Sequence, residues 1–165
     1  MLTKRLLPVF LVLVIILSSC ASIDSVTLDQ YIAHYQSVCR LLDINGQSDV
    51  IKEGEITVIS AFNGLFSVGI ACNGKDEMVY CSISTSELYG KNIKEEEEFK
   101  KAVLTASYLI LPFFLDDYHE FDNENVAEAG GVIVASFDKD IELTRGVISS
   151  KYTEGNGFTI TVIIK

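Results

Sequence analysis

Few side chains in this 165-residue chain could do more than pack: two histidines, four cysteines and several acidic runs. His119 lies in the richest run, with Asp116, Asp117, Tyr118, Glu120, Phe121, Asp122, Asn123 and Glu124 around it. Clustered carboxylates suit hard cations. The spacing matches neither an EF-hand loop nor a zinc-binding helix, so the run reads as a solvated acidic loop and no metal ligand is assigned. His34 falls off the apolar stripe of the first helical segment and is expected at the surface. Asp138, Asp140 and Glu142 could work as an acid–base group, but an Asp-rich turn is their ordinary role. The chain has no Gly-x-Ser-x-Gly elbow, phosphate loop, dinucleotide fingerprint or Cys-x-x-Cys. Gly155-Asn156-Gly157 lies between strands and reads as a turn. No catalytic residue and no cofactor is assigned.

The N-terminus is of another kind. Residues 1–5 carry Lys4 and Arg5 and no acid, residues 6–17 (LLPVFLVLVIIL) are uncharged and apolar, and Ser18, Ser19 and Cys20 follow. A basic end, a short apolar core and small residues are the layout of a secretory signal peptide. Twelve apolar residues are too few to span, since a crossing helix needs about 20. Leu17-Ser18-Ser19-Cys20 resembles the lipobox of bacterial lipoproteins; the resemblance covers residues 1–20 only. It implies cleavage between Ser19 and Cys20 and a thioether-linked diacylglycerol on Cys20, with palmitate-type acyl chains. Two acyl chains are enough for stable anchoring, each buried methylene contributing about 0.8 kcal/mol. The expected place is a membrane, lipid-anchored on its extracytoplasmic face. Ala21 is not the Asp associated with inner-membrane retention, and cell membrane and outer membrane both stay open.

The expected division is a signal at 1–19, a lipidated Cys20 with a short tether at 20–26, and a single domain at 27–165. Loss of the signal leaves 146 residues, enough for one core without staples. It also leaves 11 basic against 23 acidic side chains, a net charge of −12. So acidic a domain is a poor partner for nucleic acid or anionic lipid. The six residues Ala21 to Val26 reach about 20 Å at most, which keeps the domain near the membrane.

With Cys20 taken by lipid, Cys39, Cys72 and Cys81 remain, an odd number that cannot all pair within the chain. If Asn73-Gly74 makes a two-residue turn, Cys81 lies opposite Phe66 and out of reach of Cys72. If the turn centres on Asp76-Glu77, Cys72 faces Cys81. A bridge needs Cα atoms within about 7 Å. Three arrangements stay open: a Cys72–Cys81 bridge, no bridge, and a bridge to Cys39.

The elements that must position these residues alternate in type. Apolar residues at helical spacing predict a helix over 28–42, with Thr27 and Gln30 as a capping box and Asn45-Gly46 as the stop. Strands are expected at 55–62, 65–72 and 78–83. Asn63-Gly64 is a hairpin signal that sets Ile59 opposite Val68 and Thr57 opposite Ile70. A second helix starts after Asn92, with Glu95 to Glu98 in its first turn and Glu96/Lys100 and Glu97/Lys101 spaced for pairing. Its apolar part, 102–115, is a core helix that Pro112 should kink or end near Leu111. An acidic loop over 116–131 and strands at 132–137, 141–152 and 158–164 complete the reading. The fold class is α+β, two helices packed on antiparallel β-meanders in the order α-βββ-α-βββ. The function expected of this layout is a protein-interaction or assembly module of the cell envelope, its partners the membrane through Cys20 and another envelope protein. The alternative is a small-ligand carrier or enzyme with a pocket between helix and sheet.

Overall fold

The computed structural model describes residues 25–43, 49–54, 56–60, 66–85, 96–115, 121–153 and 157–165. The first helix, α1 (Leu28–Leu41), opens on the expected capping box: Thr27 Oγ1 accepts from Gln30 N, and the Gln30 side chain accepts from Thr27 N. Leu28, Tyr31, His34, Tyr35, Val38 and Cys39 form its buried face. The strands that follow are β1 (Asp49–Glu53), β2 (Ile56–Ser60), β3 (Phe66–Cys72) and β4 (Met78–Thr85). The β2–β3 register is the one the hairpin signal predicts, with Ile59 opposite Val68 and Thr57 opposite Ile70. Asn63-Gly64 itself, like Asn45-Gly46 and Asn92, lies outside the described residues.

Two helices come next, α2 (Glu96–Phe114) and α3 (Asn123–Ala135), and then β5 (Ile141–Leu143), β6 (Gly146–Thr153) and β7 (Gly157–Ile164). The strands form one antiparallel sheet in the order β1-β2-β3-β4-β7-β6-β5. The fold is α+β and antiparallel, as expected, but the described order is α-ββββ-αα-βββ. Each difference has a physical reason. Residues 123–135 are helical where an acidic loop and a strand at 132–137 were expected. Asp122 caps this helix by accepting from Glu124 N, and Val126, Ala129 and Ile133 bury one face at helical spacing. Val132 to Val134 has strand propensity, but the packing of that face against α2 outweighs it. The expected strand at 141–152 is broken into a hairpin by the turn at Thr144-Arg145, which pairs Leu143 with Gly146.

The helices cover one face of the sheet, and the core lies between. Toward one end, Phe66, Phe99, Phe137 and Phe158 pack ring to ring at centroid spacings of 5.9–6.3 Å. Toward the other, Tyr31 stacks on Phe113 at 5.4 Å. Buried Ser136 and Ser150 join hydroxyl to hydroxyl, and Ser150 N donates to Ser136 O, tying the end of α3 to β6.

Cys39, Cys72 and Cys81 are buried thiols, with no bridge among them. The register explains why Cys72 and Cys81 do not face each other. The turn spans 73–77 and a bulge follows Ala71, so Cys72 stands opposite Met78 and Cys81 opposite Ile70. Neither turn considered from the sequence is the one formed. Burial pushes the Cys81 thiol up to about 12, against a smaller opposing effect of its hydrogen bond to Tyr31 Oη, and burial also raises Cys39. Both should stay protonated and unreactive at neutral pH. Iodoacetamide at pH 8 is expected to leave Cys39 and Cys81 untouched in the native domain and to modify both in guanidinium. Because the Cys81 value lies above its unfolded value near 9, its contribution to stability is complete below pH 9 and is lost as pH rises toward 12. The guanidinium midpoint should fall across that window, and less steeply in Cys81→Ala.

Candidate interaction surface

On their exposed side α2 and α3 leave an apolar groove of about 200 Å³, walled by Phe99, Val103, Leu104, Val126, Ala127 and Val134. Its floor depends on Gly130. A Cβ there would stand 3.1 Å from Ser107 Oγ, so glycine lets the two helices approach closely. Ser107 spends its hydroxyl on Val103 O within α2. Leu104 and Val134 are about half exposed, at 49% and 50%. Lys100 lines the same groove, and Lys101 beside it pairs with Glu98 at i,i+3 rather than with Glu97 as the spacing suggested.

The wall formed by α2 is held from its far end. Pro112 lies inside this helix, which continues to Phe114 instead of ending near Leu111. Proline has no N–H, so Tyr108 O loses its helical donor. His34 Nε2 replaces it at 2.7 Å, while Tyr31 Oη donates to Leu109 O at 3.2 Å. His34 is therefore buried, 3% exposed, and not at the surface as expected. Phe121 lies against both rings, 5.7 Å from His34 and 5.7 Å from Tyr108. Beyond the proline, α2 has no basic residue in its last turn. The β5–β6 turn supplies one. Arg145 Nη1 donates to Pro112 O at 2.8 Å and also to Leu115 O, Arg145 N donates to Phe113 O at 3.1 Å, and Thr144 Oγ1 donates to Phe114 O at 2.8 Å. The end of the helix is thereby satisfied by a segment some thirty residues away.

The sheet face away from the helices is open. One row across it runs Val58, Gly69, Ser82, Thr161, Ser149, and the next runs Ser67, Ser84, Thr159, Lys151. Ser84 and Thr159 share a hydroxyl hydrogen bond at 3.1 Å. Nearer the end that bears the 73–77 turn, the row changes character: Ile56, Ala71, Tyr80, Ile163, Val147.

The residues singled out from the sequence do not converge. Asp138 and Asp140 are exposed between α3 and β5, and Glu142 pairs with Lys165. Residues 116–120, His119 among them, and residues 1–24, with Ser19 and Cys20, lie outside the described residues. Among the described residues no group of three or more His, Cys, Asp or Glu side chains could hold a metal ion, and no helix is long and apolar enough to cross a membrane. Comparison with protein-family models, curated proteins and solved structures gives no match. Sequence reasoning missed the groove because it missed α3. The spacing of Val126, Ala129 and Ile133 after Asp122 was the available signal.

Proposed function

We propose that this chain is a membrane-anchored extracytoplasmic lipoprotein whose domain is a protein-interaction module of the cell envelope, binding its partner in the α2–α3 groove. The observation that carries the reading is the groove itself, an apolar trough flanked by half-exposed Leu104 and Val134 on an otherwise acidic domain. Its volume, about 200 Å³, lies below the 300–1,000 Å³ usual for small-molecule sites. Ser107 and Lys100 are the only polar side chains among its lining residues, too few to orient a small ligand. Such a trough suits the apolar face of a partner helix. The net charge of −12 and the Glu97-Glu98 start of α2 favour basic residues flanking that face.

A photoreactive side chain at Leu104 of the full-length protein in intact cells tests the proposal. The expected result is one defined protein adduct, lost with Val134→Asp and not formed from the same group at Tyr152. Both groove positions are exposed, so Val134→Asp should change stability by under about 0.5 kcal/mol. A position-independent adduct pattern, or a small apolar molecule retained by the purified protein in native mass spectrometry, would overturn it.

A further inference from the structure

The chain enters the described fold at one end of the sheet. Val26 O accepts from Met78 N at 2.9 Å, Leu28 N donates to Asp76 O at 3.0 Å, and Thr27 forms a bridge with Glu77. The same end carries the β1–β2 turn at Gly54, the 73–77 turn and Lys165. It is also where the open sheet face becomes apolar. Ile56 and Ile163 are 55% and 59% exposed, with Val79 and Tyr80 at 41% and 37% between them. Tyr80 and Ile163 are direct cross-strand neighbours, and Val79 is the extra residue of the bulge opposite Ala71 and Cys72. Isolated exposed apolar residues need no explanation, but a contiguous set of them does.

We infer that this apolar end of the sheet, Ile56, Val79, Tyr80 and Ile163, rests in the interfacial layer of the lipid bilayer that holds the anchor. The inference rests on the proposed lipidation of Cys20. What selects lipid as the occupant is the length and attachment point of the chain outside the fold. Cys20 lies six residues before Val26, and Val26 is fixed beside Met78, two residues from Tyr80. Six extended residues span about 20 Å, so the acyl chains cannot enter a bilayer far from this end of the sheet. The tether also keeps the patch at high local concentration next to the membrane, where a weak apolar contact is enough to set an orientation. A tyrosine among aliphatic residues fits the interface, with its ring in the apolar zone and its hydroxyl among the headgroups. The charges at this end are mixed: Asp29, Asp76, Glu77 and Glu142 with Lys75 and Lys165. That favours zwitterionic over anionic headgroups. The Glu97-Glu98 start of α2 belongs to the opposite end, since the C-terminal end of α2 is the one capped by the Thr144-Arg145 turn beside Gly146 and Ile164. The partner groove along the first half of α2 then points away from the bilayer.

The chain contains no tryptophan, so one introduced tryptophan is a unique reporter. The lipidated full-length protein carrying Ile163→Trp is incorporated into phosphatidylcholine vesicles with and without bromines on the acyl chains near the headgroup, with Leu104→Trp as the reference. The expected result is emission shifted to the blue and quenched at least twofold by brominated lipid for Ile163→Trp, and emission that brominated lipid leaves unquenched for Leu104→Trp. Both sites are exposed, and unchanged thermal unfolding confirms that each variant folds. Co-flotation with vesicles but no quenching at Ile163→Trp overturns the inference and leaves the lipid anchor standing. Blue-shifted emission that bromine does not quench and that grows with protein density overturns it in favour of a second copy of the chain. Failure to incorporate acyl label and to float overturns the anchor and the inference together.

Discussion

Replacing Arg145 with methionine is expected to destabilise the domain by about 3 kcal/mol, the largest effect of any single substitution considered. Methionine keeps most of the apolar stem and removes the donors. Buried Pro112 O and part-buried Leu115 O then lose their shared donor, and an unsatisfied buried acceptor costs about 1–3 kcal/mol. The cation at the C-terminus of α2 is lost as well, which adds about 0.3–1 kcal/mol or more where the site is shielded. Arg145 is 7% exposed, so water cannot simply take its place. For a domain of this size the loss corresponds to a fall in Tm of about 10 °C. Thermal unfolding followed by circular dichroism measures it, and hydrogen exchange should locate the early opening at 111–115. Arg145→Lys should recover only part of the stability, because one ammonium on a flexible stem does not reproduce the planar fork. A loss under about 1 kcal/mol for Arg145→Met would show that the turn's backbone and Thr144 hold the helix end without the side chain. Gly146 is part of the same device: a Cβ there would lie 2.4 Å from Ile163 O, so β7 passes too close for any other residue.

The second large effect is a coupling between two residues 78 positions apart in sequence. His34→Phe keeps an aromatic ring beside Phe121 but removes the donor to Tyr108 O, and is expected to cost about 1–2 kcal/mol. A carbonyl can only accept, so Nε2 carries the hydrogen in this arrangement. Pro112→Ala returns an N–H to the helix at the position that would serve Tyr108 O. If His34 exists to complete the helix that Pro112 interrupts, Pro112→Ala should rescue His34→Phe. The double variant should then be more stable than the sum of the single effects by about 1 kcal/mol, measured as a cycle of guanidinium unfolding. Additivity within about 0.5 kcal/mol would mean that the histidine and the proline act independently.

These two residues also show where sequence reading stops. The apolar stripe of α1 is periodic enough to identify the helix, and His34 sits at the edge of its buried face, at the spacing that joins Tyr31, His34, Tyr35 and Val38. Its burial follows from α2 lying across this part of α1 with an unserved carbonyl aimed at it. The spacing from Tyr31 to Val38 was a local sign of its burial, but the carbonyl it serves lies 74 residues away and no neighbour announces it. Pro112 was expected to kink or end the helix because a proline interrupts the ladder, and locally it does. The helix continues because Tyr31, His34, Thr144 and Arg145 supply donors from elsewhere in the fold. The α2–α3 groove was missed for a related reason, although the spacing of Val126, Ala129 and Ile133 carried a signal. Its second wall, α3, contains Gly130-Gly131 and a β-branched stretch, a composition that argues locally for turn and strand. It is helical because Val126, Ala129 and Ile133 bury together against the rest of the core.

What the sequence determined by itself is local. The capping box of α1 joins residues three apart. The alternation of residues in β2 and β3 about Asn63-Gly64 in the sequence sets the register of Ile59 on Val68. The likeness of Leu17 to Cys20 to a lipobox is likewise a property of four consecutive residues. Such features depend on chain geometry of period 2 or 3.6 and on neighbours within a turn. The tertiary structure decided what depends on distant partners: that α3 is a helix, that Cys72 meets Met78 and not Cys81, and that Arg145 closes α2. It also decided that Ile56, Val79, Tyr80 and Ile163 gather at the end of the sheet where the chain enters. The physical reason is the same each time. A buried donor, acceptor or apolar face must find its complement, and here the complement lies tens of residues away, where no local pattern records it.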